Sequence, residues 1–232
     1  MGRKLLLAWI PMVSLLAGCP SFSTMGTARN LPEDQTQFFF STGGVQLRDW
    51  RTTNGGARLE SLTLPAFEFG GRYGVNDSVE VGGKVWFIGA EIDTKFQIHK
   101  AATPDSGMDV ALAPAVTVYP FSTDNAAGQS STAILSWIHL PLLVGVNVPG
   151  GSQLVLGPRL SGTLVTGVGE TRTVLWGGGS LGYAWKLGKR FRLLPEVSMS
   201  YPFAVSSGAS VSTDLAFKGV VVQGGLGFLF GG

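Results

Sequence analysis

RTVLWGGGSLGYAWKLGKRFRLLPEVSMSYPF, residues 172–203, holds two strand-like runs on either side of the short break Leu187-Gly188-Lys189. In the second run one parity reads Arg190, Arg192, Leu194, Glu196, Ser198, Ser200 and the other Phe191, Leu193, Pro195, Val197, Met199, Tyr201, Phe203. A period of two defines a strand with one polar and one oily face. The first run repeats the pattern, with Leu175, Leu181, Tyr183 and Trp185 opposed to Arg172, Ser180 and Lys186. Its aromatic residues gather near the ends, where a membrane strand meets the lipid-water boundary. The stretch therefore predicts one hairpin of a transmembrane β-barrel.

The composition agrees with that reading. Of 232 residues 44% are hydrophobic and 14% charged, and 34 are glycine, roughly twice average usage. The net charge of +2 belongs to Arg3 and Lys4, because the remaining Lys and Arg balance the 15 acidic residues. No nucleic-acid footprint is left. One cysteine excludes an intrachain disulfide, no Cys/His set has zinc spacing, and no cofactor is expected.

Met1 to Cys19 has a basic start, an apolar run from Leu5 to Leu16, and then Leu16-Ala17-Gly18-Cys19. The run is too short to span a bilayer as a helix and has the length of a signal-peptide core. The last four residues resemble the bacterial lipoprotein lipobox. The resemblance implies cleavage before Cys19, a diacylglycerol on its thiol, and removal of residues 1–18 as a signal peptide. Pro20 stands where the family's inner-membrane retention signal places Asp, which implies the cell outer membrane, lipid-anchored through Cys19. Residues 19–35, rich in Ser, Thr, Gly, Asn and Pro, read as a lipidated flexible tether, and residues 36–232 as the barrel domain.

Ten strands are predicted: 36–47, 59–73, 79–89, 92–101, 108–120, 132–147, 152–166, 172–186, 190–204 and 214–230. Most have the 9–11 residues that a tilted membrane strand needs. An even count puts both termini on one side, the periplasm for an anchored N terminus. Connections at 76–78, 104–107, 149–151 and 187–189 are short, those at 48–58, 121–131 and 205–213 longer, as periplasmic turns and outer loops are. Gly167 to Thr171 is modest, and Ala90-Glu91 is very short for an outer loop.

Around Asn76-Asp77-Ser78 a three-residue loop would set Val75 opposite Val79, Tyr73 opposite Val81, Phe69 opposite Val85 and Phe67 opposite Phe87. Glu68, Arg72, Glu80, Lys84 and Trp86 then share the other face, and a one-residue slip would mix oil with charge. The run Arg72-Tyr73-Gly74-Val75-Asn76-Asp77-Ser78-Val79-Glu80-Val81-Gly82 resembles outer-membrane barrel families in which Tyr-Gly, a polar turn and an alternating strand recur. The final run, with Val220, Val222, Leu226, Phe228 and Phe230 on one parity, resembles the C-terminal signal read by the outer-membrane assembly machinery, although Gly231 and Gly232 follow the aromatic. These resemblances imply that machinery and outer-membrane lipid as partners, with envelope proteins reached through the loops or the tether.

Pro65, Pro114, Pro141, Pro158 and Pro195 fall inside predicted strands, and each removes a ladder donor, so bulges or kinks are expected there. Ile134 to Val148 is oily on both parities but is interrupted by Pro141 and Gly145. A lipid-anchored soluble β domain with its oily face inward is the alternative fold.

Chemistry is sparse. Of two histidines, His139 falls on the inward parity and His99 shares a parity with Asp93, Lys95 and Gln97. Neither stands in the Asp-x-His or His-x-Ser patterns of outer-membrane proteases and lipid A deacylases, and no enzyme is expected. Gly177-Gly178-Gly179 and Gly224-Gly225 lack the strand-to-helix context of a phosphate cradle and read as curvature and close packing. Glu68, Lys84, Arg159 and Glu196 lie near the middle of their strands and, with Arg72 and Glu80, make a lumen charge network whose members must pair, while Arg172, Lys186, Arg190 and Arg192 are expected closer to the rims. Trp86, Trp137 and Trp176 are expected beside them. A barrel of about ten strands is close to the size that side chains alone fill. The expectation is an all-β, closed antiparallel transmembrane β-barrel of about 10 strands, acting as a structural anchor or interaction platform; a narrow small-solute channel and an outer-membrane enzyme are the alternatives.

Overall fold

Alternating faces and short turns produce a closed antiparallel barrel of ten staves. The computed structural model describes residues 21–50, 59–87, 89–124, 130–166, 172–207, 210–212 and 219–232, so the leader and Cys19 lie outside the described residues. The strands are β1 (Thr36–Trp50), β2 (Leu59–Asn76), β3 (Val79–Trp86), β4 (Gly89–His99), β5 (Met108–Leu112), β6 (Ala115–Asp124), β7 (Ser130–Val148), β8 (Ser152–Thr166), β9 (Arg172–Lys186), β10 (Phe191–Ser207), β11 (Ser210–Ser212) and β12 (Val220–Gly231). β5 and β6 are successive halves of one stave, since β4 and β7 pair with both. β11 pairs only with the end of β10. β12 pairs with β10 on one side and β1 on the other, and the seam runs through Phe38↔Phe230 and Phe40↔Phe228. The ten staves thus close on themselves, as a backbone surrounded by hydrocarbon requires.

The prolines are tolerated in different ways. Pro114 divides β5 from β6, and its carbonyl accepts from Thr94 N–H at 3.0 Å. Pro202 sits at a bulge between β9 and β10. Pro65, Pro158 and Pro195 hold regular register opposite Gly44, Gly179 and Leu226, with no register shift in those ladders. Pro141 stays paired with Arg159, and its carbonyl accepts from Ala113 N–H at 3.0 Å.

Three connections differ from expectation. At the first hairpin Asn76, not Val75, faces Val79, and the register shifts between Gly74 and Asn76. The cause is Asn76 itself, whose Oδ1 accepts from Ser78 N–H at 2.8 Å and Val79 N–H at 2.9 Å, closing a two-residue turn. The bulge restores Tyr73↔Val81 and Phe69↔Val85; the ladder ends at Glu68↔Trp86, one pair short of Phe67 and Phe87. Ala90 and Glu91 are strand residues opposite Val85 and Lys84, so β3 ends at Trp86, β4 begins at Gly89, and the wall is low there. Within residues 205–213, expected as a loop, residues 205–207 are the end of β10 and residues 210–212 are β11.

Exposed apolar side chains surround the barrel on every stave, among them Phe69, Val85, Ile92, Ile138, Leu160, Val197 and Met199. Trp86, Trp137, Trp176, Glu68, Lys84 and Glu196 point inward and are buried. The short connections around residues 77–78, 149–151 and 187–190 share one end with Thr36 and Gly231, the turn end; the opposite mouth is the loop end.

Candidate functional site

The stretch expected to be a flexible tether occupies the lumen. Ser21, Phe22, Ser23, Met25, Ala28, Asn30 and Leu31 are all buried. The segment is small-sided (Ser21, Ser23, Thr24, Gly26, Thr27, Ala28), so it fits a narrow bore, and two larger side chains lock it. Phe22 meets the ring of Trp137 edge-on at 4.9 Å, in a cluster with Trp86, Tyr119, Trp176, Val45, Val174 and Val221. Met25 packs with Phe39, Ala184, Leu194 and Leu229.

A non-helical backbone inside a barrel needs partners for its polar groups. The wall supplies them as side chains. Glu196 accepts from Thr24 N–H at 2.7 Å, Thr24 Oγ1 at 2.7 Å and Met25 N–H at 3.1 Å. Gln223 Oε1 accepts from Phe22 N–H at 2.5 Å, Gln153 Oε1 from Ala28 N–H at 2.8 Å, Gln97 Oε1 from Asn30 N–H at 2.6 Å and Glu80 Oε2 from Leu31 N–H at 2.8 Å. Cations serve the carbonyls. Arg159 Nη2 donates to Phe22 O at 2.6 Å, Lys84 Nζ to Ser23 O at 2.7 Å, Arg72 Nη2 to Thr24 O at 3.3 Å, and Lys95 Nζ to Thr27 O at 3.1 Å and Arg29 O at 3.2 Å.

The six lumen charges read from the sequence are all involved, in an arrangement that differs from direct pairing across the bore. Glu68 lies 4.0 Å from Lys84 and accepts from Ser23 Oγ at 2.6 Å. Arg72 pairs with Glu80 at 3.2 Å and with Asp93 at 2.8 Å. Among the described residues Arg159 and Glu196 form no ion pair with each other; each is spent on the inserted segment instead. Sequence reasoning did not single out Glu91, Asp109, Gln153 and Gln223 as members of the site. Glu91 pairs with Lys84 at 3.2 Å, and Asp109 takes Arg29, Asn147 Nδ2 and Gln153 Nε2. Their signal was available in parity, since each is a polar residue on the buried, inward face of its strand.

Wall glycines make room for the segment. A Cβ at Gly227 would lie 2.8 Å from Met25 Sδ and one at Gly225 3.2 Å from Met25 Cε. One at Gly74 would collide with the carbonyls of Leu31 and Pro32. What space remains between Thr24, Arg72, Asp93, His139 and Arg159 is about 20 Å³, room for one water. His139 shares a hydrogen bond of 2.9 Å with Ser161 and stacks on Trp137, while His99 is exposed at the end of β4. Neither is paired with a carboxylate in the described structure. Among the described residues no group of three or more His, Cys, Asp or Glu is placed to hold a metal.

No family model and no curated protein matches the chain. Similar solved structures include the outer membrane protease OmpT of Escherichia coli, at 7% identity and TM-score 0.48, covering 89% of this chain and all of that one. The translocator domain of the autotransporter NalP of Neisseria meningitidis gives 10% identity and TM-score 0.41, covering 98% and 95%. Neisserial surface protein A gives 12% and 0.32, covering 84% and 96%. At these identities the likeness is one of fold alone.

Proposed function

We propose that this is an outer-membrane lipoprotein whose barrel is sealed by its own N-terminal segment and serves as an anchor or interaction platform, not as an open pore. The observation that carries the reading is the hydrogen bonding of Ser21 to Leu31, whose backbone groups are taken up by wall side chains along the length of the segment. A solute path would need those same side chains free. The belt of exposed apolar residues on every stave supports a lipid environment, because a soluble barrel would turn that face inward. Lipidation of Cys19 is supported by the lipobox-like Leu16-Ala17-Gly18-Cys19. One acyl chain binds a membrane reversibly, whereas several hold firmly, so the anchor adds to the barrel's own insertion.

Planar-bilayer recording tests the seal. Wild-type protein is expected to be silent, and deletion of residues 21–31 to give steady single-channel currents. Large currents from the wild type would favour a channel. Palmitate labelling tests the anchor separately: label is expected in the wild type and lost in Cys19→Ser.

A further inference from the structure

The inserted segment has a direction. At the turn end, Leu31 N–H reaches Glu80 near the start of β3, and Gly74 exchanges backbone bonds of 2.9 Å with Asp34 and Gln35. At its other end, Ser21 N–H donates to Tyr119 Oη at 2.8 Å and Ser21 Oγ accepts from Lys84 Nζ at 2.9 Å. Lys84 is followed on the inner face of β3 by Trp86 alone, which pairs with Gly89 where β4 begins. Ser21 thus lies just beneath the lowest part of the loop-end rim. Phe22 lies against Trp137. From Val146, exposed near the turn end of β7, to Trp137 the strand climbs about 23 Å at ~3.4 Å per residue and a tilt of ~40°. The apolar band of such a barrel is about 25 Å tall. At Ser21 the chain has crossed nearly all of it.

We infer that the mature chain leaves the lumen through the loop-bearing mouth, over the low rim between β3 and β4, and that the lipid of Cys19 lies in the leaflet on the loop side. The second half rests on the lipidation proposed above. Among the described residues, a return toward the turn end has no route at mid-depth. The β3–β4 ladder is paired from Val79↔Phe96 to Trp86↔Gly89, and the interior space between Thr24, His139 and Arg159 admits a water, not a second pass of chain. Two residues span at most ~7 Å, so Cys19 does not reach the turn-side leaflet while Ser21 keeps its bonds to Tyr119 and Lys84. A seated segment and a lipid in the turn-side leaflet exclude each other. This places the anchor on the opposite side from the periplasm that the even strand count suggested for it.

Pro20→Cys tests the exit on intact cells with a membrane-impermeant maleimide. Wild type, whose single cysteine is Cys19, is the blank, and Lys189→Cys marks the turn end. Heat-dependent gel mobility confirms that each variant is folded. The expected result is labelling of Pro20→Cys on intact cells and of Lys189→Cys only after permeabilisation. A folded Pro20→Cys that labels only after permeabilisation overturns the inference. Should that substitution prevent folding, a short epitope inserted between Pro20 and Ser21 and read with antibody gives the same two outcomes. Palmitate incorporation is measured on the same samples. Surface labelling without palmitate upholds the exit and removes the lipid, whereas palmitate with periplasmic labelling upholds the lipid and removes the exit.

Discussion

Two arcs of the inner wall hold the same segment by opposite means. The arc of β2, β3 and β4 turns Glu68, Arg72, Glu80, Lys84, Glu91, Asp93 and Lys95 inward. The arc of β9, β10 and β12 presents Ser180, Ala184, Leu194, Ser198, Ser200, Gly225 and Gly227, with Glu196 its ionisable group at mid-depth among the described residues. The charged arc shares its three cations among its four carboxylates, and the cations spend their remaining donors on carbonyls of the segment. The small-residue arc gives up volume, into which Met25 fits. Charge supplies position and absence of side chain supplies depth. Neither arc alone would seat a backbone that has no secondary structure of its own.

The largest expected effect comes from removing the mid-depth acid of the small-residue arc. Glu196→Ala leaves Thr24 N–H, Thr24 Oγ1 and Met25 N–H without their acceptor. Arg159 lies nearby as a buried cation bonded to Phe22 O. Losing one partner of a buried charged set costs about 3–5 kcal/mol, enough to raise the unseated fraction by a factor of roughly 10² to several times 10³. Bilayer recordings should show flickering openings absent from the wild type. Glu68→Ala combined with Arg159→Ala should leak in the same way. A silent Glu196→Ala would mean that the charged arc alone secures the segment.

Next in size is a contrast between neighbours on β10. Val197 faces outward and Ser198 inward. Val197→Arg, at mid-depth on the lipid side, is expected to cost about 2–4 kcal/mol, read as a fall in the temperature at which the folded gel band disappears. Spin labels placed in turn along residues 195–200 should alternate between lipid and packed-interior environments. Uniform water exposure would instead support a soluble β domain.

The barrel was legible in the sequence because a half-buried strand writes its faces into alternate residues. Phe69, Val85, Val197 and Met199 could be set outward and Glu68, Lys84 and Glu196 inward from parity, as the structure has them. What parity does not report is a turn decided by one side chain, such as Asn76, or a strand cut by a proline, such as Pro114. The inserted segment was illegible for a deeper reason. It is held mainly by its backbone, which every residue has, so Ser21 to Leu31 carries no periodic pattern and reads like a linker. The information lies in the receptor: Arg159 and Glu196 are inward charges that do not pair with each other, and something else had to satisfy them.

Gly74→Ala asks whether the turn-end docking is as tight as it looks. Its Cβ would press on the carbonyls of Leu31 and Pro32, backbone atoms that cannot rotate aside. The neighbouring bonds from Asp34 N–H to Gly74 O and from Gly74 N–H to Gln35 O, both 2.9 Å, would be strained with it. Overpacking of this kind costs about 1–3 kcal/mol. Faster proteolysis near residues 31–35 in detergent, with the barrel still heat-modifiable, is the expected readout.

Gly227→Ala should have the smallest effect, although its new Cβ would approach Met25 Sδ to 2.8 Å. The difference from Gly74 is what gives way. Methionine is unbranched, and its thioether end can turn into another rotamer, so the cost should stay below about 1 kcal/mol. A double-mutant cycle with Met25→Ala isolates the contact: if the glycine supplies depth for Met25, the alanine at 227 should be less costly once the thioether is gone. Additive melting shifts in the cycle would show that Gly227 serves the packing of β12 beside Leu194 of β10 and not the seat of the segment.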